Sequence, residues 1–185
     1  LYQGSLVSAI GTSLYSFAAG LYIQDLFGYD NGATYLALFS SVGMLVQVLI
    51  SPFAGTLIDN ISKVKVLWIT DLIRGFLFLG ALYILSLGLP KEELVWYLLG
   101  VVIIASLNQA FFGPASTSVI PEIVQPKNIQ AANGANGTIQ SFQMVLGAAA
   151  GMFLYGLIGF EAAVLINAIS FFASAFSEMF IKTNP

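Results

Sequence analysis

Neither cysteine nor histidine occurs in this chain, and charge of either sign is scarce: six Lys and Arg and nine Asp and Glu, 8% of 185 residues. Without cysteine there are no disulfides and no thiolate metal sites, while the redox compartment stays open. Without histidine the usual metal ligand and the usual base at neutral pH are missing. A soluble domain carries roughly 25% charged residues. Here 58% of residues are hydrophobic, so the chain reads as an integral membrane protein. The net charge of −3 carries little weight, because the placement of Lys and Arg matters more in a membrane than their sum. Leu1 begins in mid-pattern with no charged n-region, so no cleavable signal peptide is expected. The missing initiator Met points to a fragment or to a start further upstream.

Six apolar segments follow one another, at 5–27, 33–58, 66–87, 94–119, 129–158 and 162–181. Each approaches the ~20 residues a helix needs to cross the hydrocarbon core. Short polar or turn-rich breaks separate them: GYDNG at 28–32, DNISK at 59–63, GLPKEE at 88–93, PEIVQPKN at 121–128 and GFE at 159–161. Hydrocarbon offers no partner to open backbone groups, so the segments are expected to be helical. They are too long for the ~10-residue alternating strands of a membrane barrel. An all-α bundle of six transmembrane helices, forming one domain over 1–185, is the expected fold.

Lys63, Lys65, Lys127 and Lys182 fall at the ends of the second, fourth and sixth segments, while the opposite side has only Lys91 beside Glu92 and Glu93. The positive-inside rule then places both termini in the cytoplasm of a multi-pass protein of the cell membrane. A shift of 96 residues aligns Gln47 with Gln143, Ala54 with Ala150, Gly55 with Gly151, Ile73 with Ile169, Phe76 with Phe172 and polar Asp71 with Asn167. That offset superposes the second and third segments on the fifth and sixth. An odd number of crossings makes such a repeat, about 1–90 and 91–185, inverted in the membrane.

Polar residues gather on particular faces. On the first helix Gly4, Ser8, Gly11, Tyr15, Ala18, Tyr22 and Asp25 alternate in spacings of four and three, which puts them on one stripe. The stripe is either a close-packing surface of small residues or the lining of a cavity, and packing alone leaves Tyr15, Tyr22 and Asp25 unexplained. Asp25 is either an exposed helix-end carboxylate or a proton-carrying group at the outer mouth. Ser40, Gly43, Gln47, Ser51 and Ala54 share a face of the second helix; Asn136, Gln140, Gln143, Gly147 and Gly151 share one of the fifth. Gly147 and Gly151 form a GxxxG pattern that lets backbones approach, and the glutamines suit bridging between helices. On the fourth helix Ser106, Gln109, Gly113 and Ser116 share a face with Asn108, Phe111 and Phe112 beside it, and Gly113-Pro114 is expected to kink it. These groups either stabilise the kink or line a substrate path.

Asp71 and Arg74 on the third helix are the costliest residues in the chain. Arg74 lies about 14 Å beyond Lys65 along a helix, near mid-membrane or somewhat toward the cytoplasm. Their i, i+3 spacing allows an intramembrane ion pair. Glu178 and Lys182 have the spacing of an interfacial pair. Enzyme motifs such as GxSxG, HExxH and the phosphate-binding loop do not occur, and the few dispersed basic residues exclude nucleic-acid binding. No enzyme activity and no cofactor or metal is expected.

The run from Gly55 resembles the signature loop of the major facilitator superfamily, a Gly, an Asp four residues on and a basic cluster, here Gly55, Asp59, Lys63 and Lys65. Asn60 and Ser62 stand where that family often has Arg and Gly. TDLIRG at 70–75, GPASTSVIPEIV at 113–124, the AANG run at 131–134 and LINAISFFASA at 165–175 are similar to the N-terminal half of bacterial macrolide-efflux-type drug exporters. The fifth helix resembles the antiporter motif of the superfamily at Gly147 and Gly151, with Ala148 in place of a Pro and Met152 in place of a Gly.

The resemblance implies two inverted three-helix repeats equal to half of a twelve-helix transporter. Helices one and four would line the cavity, helices two and five would meet the other half, and helices three and six would lie outside. It also implies that Gly55, Asp59, Lys63 and Lys65 act as a conformational latch. The expected function is secondary active export of amphipathic drugs or similar small molecules, coupled to protons, by alternating access. Tyr15, Tyr22, Asn108, Gln109, Phe111 and Phe112 are the candidates for substrate contact, and Asp25 for proton coupling. The expected partners are the bilayer, an amphipathic substrate, protons and a second six-helix half, whether a C-terminal domain or a second copy. A lipid, siderophore or other metabolite carrier of the same fold, and a non-transporting membrane assembly domain, are the alternatives.

Overall fold

The computed structural model describes residues 2–181, with the side chains of 2–5, 126, 136, 143, 144, 148 and 154 excepted. Lys182 therefore lies outside the described residues, as do Gly4, Asn136, Gln143 and Ala148 beyond their backbone. The chain forms α1 (Tyr2–Phe27), α2 (Tyr29–Ile58), α3 (Lys63–Ser86), α4 (Lys91–Ser118), the short α5 (Ile120–Ile123), a 3-10 turn (Pro126–Asn128) and α6 (Ile129–Glu178). No strand occurs among the described residues. Among the described residues, five stretches are long and apolar enough to cross a membrane: Leu6–Phe27, Tyr29–Ile58, Lys63–Ser86, Lys91–Ser118 and Tyr155–Glu178.

Glycine sets two of the breaks. The GYDNG segment contracts to Gly28 alone, whose φ of 80° and ψ of 166° are open to a residue without a Cβ. The chain is helical again from Tyr29. Gly159 repeats the device with φ 78° and ψ 177° and divides α6 into arms of 129–158 and 160–178. Gly147 on the first arm abuts Ser13, and Ser170 on the second abuts Gly11. Both arms thus pass the same turn of α1, as a hairpin folded at Gly159. The polar turn between α2 and α3 is also tighter than expected. Only residues 59–62 lie outside helix, and Lys63 and Lys65 belong to the first turn of α3.

α1 packs on α2 and on both arms of α6, α3 packs on α4 and α6, and α2 packs on α4. Three apolar clusters hold these contacts. Ala18, Phe78, Val101, Phe160, Val164 and Phe171 join α1, α3, α4 and α6 in the middle. Ile58, Val64, Leu67, Ala115 and Val119 close the end that carries Lys63 and Lys65, here the basic end. Ile23, Phe39, Leu94 and Leu98 close the opposite end. Outside these clusters large apolar side chains stay uncovered, among them Val48, Phe53, Phe76, Trp96, Phe153 and Phe176. An apolar exterior of that extent matches hydrocarbon or a second apolar body, and not water.

Candidate substrate cavity and the buried charges beside it

Five helices turn polar groups toward one concave face, α6 through Gln140. α1 supplies Ser8, Thr12, Tyr15 and Ser16; α2 supplies Gln47; α3 supplies Arg74; and α4 supplies Ser106, Gln109, Gly113 and Ser116. With Phe78, Phe112, Gln140 and Phe171 they enclose about 640 Å³. A second hollow of about 400 Å³ continues from it toward the opposite end. The two share Tyr15, Ser16, Gln47 and Ser106, and the second is walled by Ile23, Phe39, Leu98 and Phe160. Both hollows mix polar groups with apolar walls, the charged Arg74 lying in the larger, and both are in the size range of small-molecule sites.

Arg74 is the charged group of this face. It has eleven residues of α3 before it and twelve after it, so it sits at mid-helix, about 17 Å from either end at 1.5 Å per residue. Its Nη2 donates to Gln109 Oε1 at 2.7 Å, and its Nη1 lies 3.5 Å from Asp71 Oδ1. The guanidinium stands 4.5 Å from the Phe112 ring centre and 5.3 Å from that of Phe171. Aromatic faces compensate a partly desolvated guanidinium through the ring quadrupole, and Arg74 is 7% exposed.

The candidate contact residues divide. Tyr15 lines both hollows and meets Phe78 edge-on at 4.6 Å between centroids; Gln109 and Phe112 line the larger one. Tyr22 does not line either hollow and is stacked on Phe160 at 4.3 Å. Phe111 packs against the apolar cluster of the basic end. Asn108 is buried away from the cavity with its Oδ1 unpartnered. Residues 108 and 111 are three apart and share a face, while 109, 112, 113 and 116 form the neighbouring one that opens inward. The stripe on α1 also divides: Ser8 and Tyr15 reach the cavity, whereas Gly11 and Ala18 are buried, Gly11 against Ser170 of α6. Thr12 and Ser16, cavity-lining here, carry no distinct signal in the sequence, since Thr and Ser hydroxyls can bond back to their own helix, as Thr12 does to Ser8 O at 2.8 Å.

Glu178 departs furthest from expectation. An interfacial side chain would be solvated, yet Glu178 is 0% exposed, as is Asp71, and neither carboxyl oxygen of Glu178 has a hydrogen-bond partner. Asn167, Ser170, Ser174 and Glu178, at spacings of three, four and four, line the buried face of the second arm of α6. That periodicity was readable, but the position of Glu178 at a helix end made it look solvated.

The remaining candidates lie at the two ends. Lys63 Nζ meets Glu122 Oε1 at 2.5 Å and ties the start of α3 to α5. Asp59 and Lys65 are exposed. A Cβ on Gly55 would meet nothing within 4 Å. At the opposite end Asp25 is exposed and accepts the Tyr155 hydroxyl at 2.6 Å, and Lys91 Nζ donates to Leu26 O at 2.6 Å. Gly147 and Gly151 are buried where the first arm of α6 meets Ser13, Leu14 and Phe17 of α1.

The family model of the Major Facilitator Superfamily matches residues 1–185. The chain belongs to that superfamily. Among curated relatives, the "Putative bacilysin exporter BacE" of Bacillus subtilis is 30% identical over 98% of this chain and 43% of its own length. The BacE of Bacillus amyloliquefaciens is 34% identical over 74% of this chain and 33% of its own. The macrolide efflux protein A of Streptococcus pyogenes is 26% identical over 91% of this chain and 40% of its own. This major facilitator chain thus spans less than half the length of these relatives. No solved structure matches it. Its apolar helices and its family make it a multi-pass membrane protein of a transporter superfamily, with efflux proteins among its relatives.

Proposed function

We propose that this chain is the N-terminal half of a secondary exporter that moves amphipathic small molecules out of the cell in exchange for protons, by alternating access. The observation that carries the reading is the cavity itself: an arginine, amides and hydroxyls at the centre of the bundle, set among apolar and aromatic walls. A molecule with polar groups on an apolar body meets both kinds of lining. Tyr15, Gln109 and Phe112 are the contacts retained from the candidate set. The names of the relatives, exporters of bacilysin and of macrolides, support efflux of small molecules.

In this reading the first arm of α6 is a sixth crossing, the two three-helix units form an inverted repeat, and both termini are cytoplasmic in the cell membrane. The uncovered faces of α2 and the first arm of α6, with Val48, Phe53 and Phe153, meet a second six-helix half. Gly55, with open space around it, then receives that half, while Asp59, Lys63 and Lys65 latch it shut from the cytoplasmic side. Asp25 at the outer end passes protons to and from the mouth.

The test is export by the full-length transporter in proteoliposomes under an imposed pH gradient, followed with a lipophilic cationic dye and with a macrolide. Gradient-dependent movement of either compound, abolished by a protonophore, is expected. Movement indifferent to the gradient sinks the coupling, and a protein that moves neither under any gradient favours an assembly role.

A further inference from the structure

The charge count between α3 and the second arm of α6 does not balance. Glu178 lies within electrostatic reach of Asp71, and Arg74 is the side-chain cation beside both among the described residues. Both carboxyls are fully buried, and the two oxygens of Glu178 have no hydrogen-bond partner. Ser174, itself 0% exposed, sits with its hydroxyl against the Asp71 carboxyl. Arg74 does not make good the deficit. Its shorter contact is to Gln109 on the cavity side, 2.7 Å against 3.5 Å to Asp71. Facing the cluster from α4 is this neutral amide, and from α1 the phenol of Tyr15 shares the cavity with Arg74.

Two carboxylates and one guanidinium leave one negative charge in a medium that cannot solvate it, and buried charges of that kind neutralise themselves. Two carboxyls that share a site commonly do so by holding one proton between them. Arg74 within the cluster repels a second cation, which favours a proton over a metal ion as the neutralising charge. We propose that Asp71 and Glu178 form a proton-binding pair that holds one proton between α3 and α6 and reports its occupancy to the cavity through Arg74 and Gln109. With the proton bound, Arg74 is released toward Gln109, the arrangement seen here. When the proton leaves, two carboxylates draw the guanidinium back and the cavity loses its positive lining. The role in coupling rests on the proton-driven export proposed above; the proton site does not.

Infrared difference spectroscopy on the monodisperse full-length protein, in sodium-free buffer, reads the pair directly. The wild type is expected to show the carbonyl band of a buried carboxylic acid at neutral pH, which disappears on alkaline titration and returns on acidification. Glu178→Gln and Asp71→Asn should each abolish it, because either leaves one carboxylate to one guanidinium. If one variant fails to fold, the other carries the same expectation. Asp30→Asn, on the exposed start of α2, should keep the band. A wild type without the band, a band that survives both substitutions, or a band removed by sodium at constant pH overturns the proton site. Gradient-driven export at the wild-type rate in Glu178→Gln overturns its part in coupling. A band that behaves as expected in a transporter indifferent to the pH gradient instead overturns proton-driven export and leaves the site standing.

Discussion

The closure of α1 on α6 is testable with one methyl group placed at two sites on the same arm. At Gly147 an added Cβ runs into the side chain of Ser13, with Ser13 Oγ at 2.9 Å and Ser13 Cα at 3.3 Å. The nearest of these atoms is the Ser13 Cβ, fixed by its own backbone, so no rotamer change relieves the overlap and the two helices must separate. Overpacking of this kind costs about 1–3 kcal/mol, against a gain of about 1 kcal/mol when Ala replaces Gly in a helix. An obstacle that cannot rotate away puts the cost in the upper part of that range, so Gly147→Ala should lose about 1–2 kcal/mol. At Gly156 an added Cβ meets nothing within 4 Å, and Gly156→Ala should keep the gain of about 1 kcal/mol. The variants then differ by about 2–3 kcal/mol, or about 4–12 °C in melting temperature for a helical body of this length. Thermal melts in detergent, followed by circular dichroism, measure the difference. Equal shifts of one sign in both variants would refute the packing at Gly147, because propensity alone would then account for them.

Phe112→Ala should weaken binding of a lipophilic cationic dye or a macrolide by about 5- to 30-fold, the loss of about 1–2 kcal/mol of aromatic contact. Phe111→Ala should lower stability and leave affinity unchanged, and equilibrium titration of both variants separates these outcomes. Glu122→Gln, which removes a pair with side chains 16% and 36% exposed, should cost less than about 1 kcal/mol and lose even that effect at high salt; a larger loss in a denaturant titration would make the pair a structural clamp. Asp59→Asn should slow the exchange of substrate across the membrane with little change in equilibrium affinity, and lost affinity at an unchanged exchange rate would remove Asp59 from the latch.

How far the sequence led depended on what each signal measures. Hydrophobic length is a bulk property, and it located α2, α3 and α4 to within a few residues of their observed limits. The breaks were placed less well. A single glycine at 28 or 159 can turn the backbone with no polar loop around it, and polar Asp30 and Asn31 were free to join the next helix. Faces were legible where one helix answers to one neighbour, as with Ser106, Gln109, Gly113 and Ser116, which all reach the cavity. They were less legible on α1, which has the cavity on one side and both arms of α6 on the other, so that one stripe of small residues serves two purposes. Glu178 was misread because position along a helix says how close a residue is to the end, and says nothing of what packs over it.

That misreading bears on what the cavity can bind. With Asp71 paired to Arg74 alone, the local charge would be neutral without any bound proton. Glu178 changes the balance, since a second carboxyl within electrostatic reach of the first makes the charge of the whole cluster depend on one proton. The cavity wall is then positive or neutral according to an event between α3 and α6, behind the surface that a substrate touches. Arg74 is the shared element, lying against Asp71 on one side and against Gln109 and Phe112 on the other. A cation entering the cavity favours the deprotonated pair, and an anion favours the protonated one. By linkage each ligand therefore shifts the affinity for the other by the same factor. An exporter built this way would exchange cationic substrate for proton with no carboxylate exposed in its binding site.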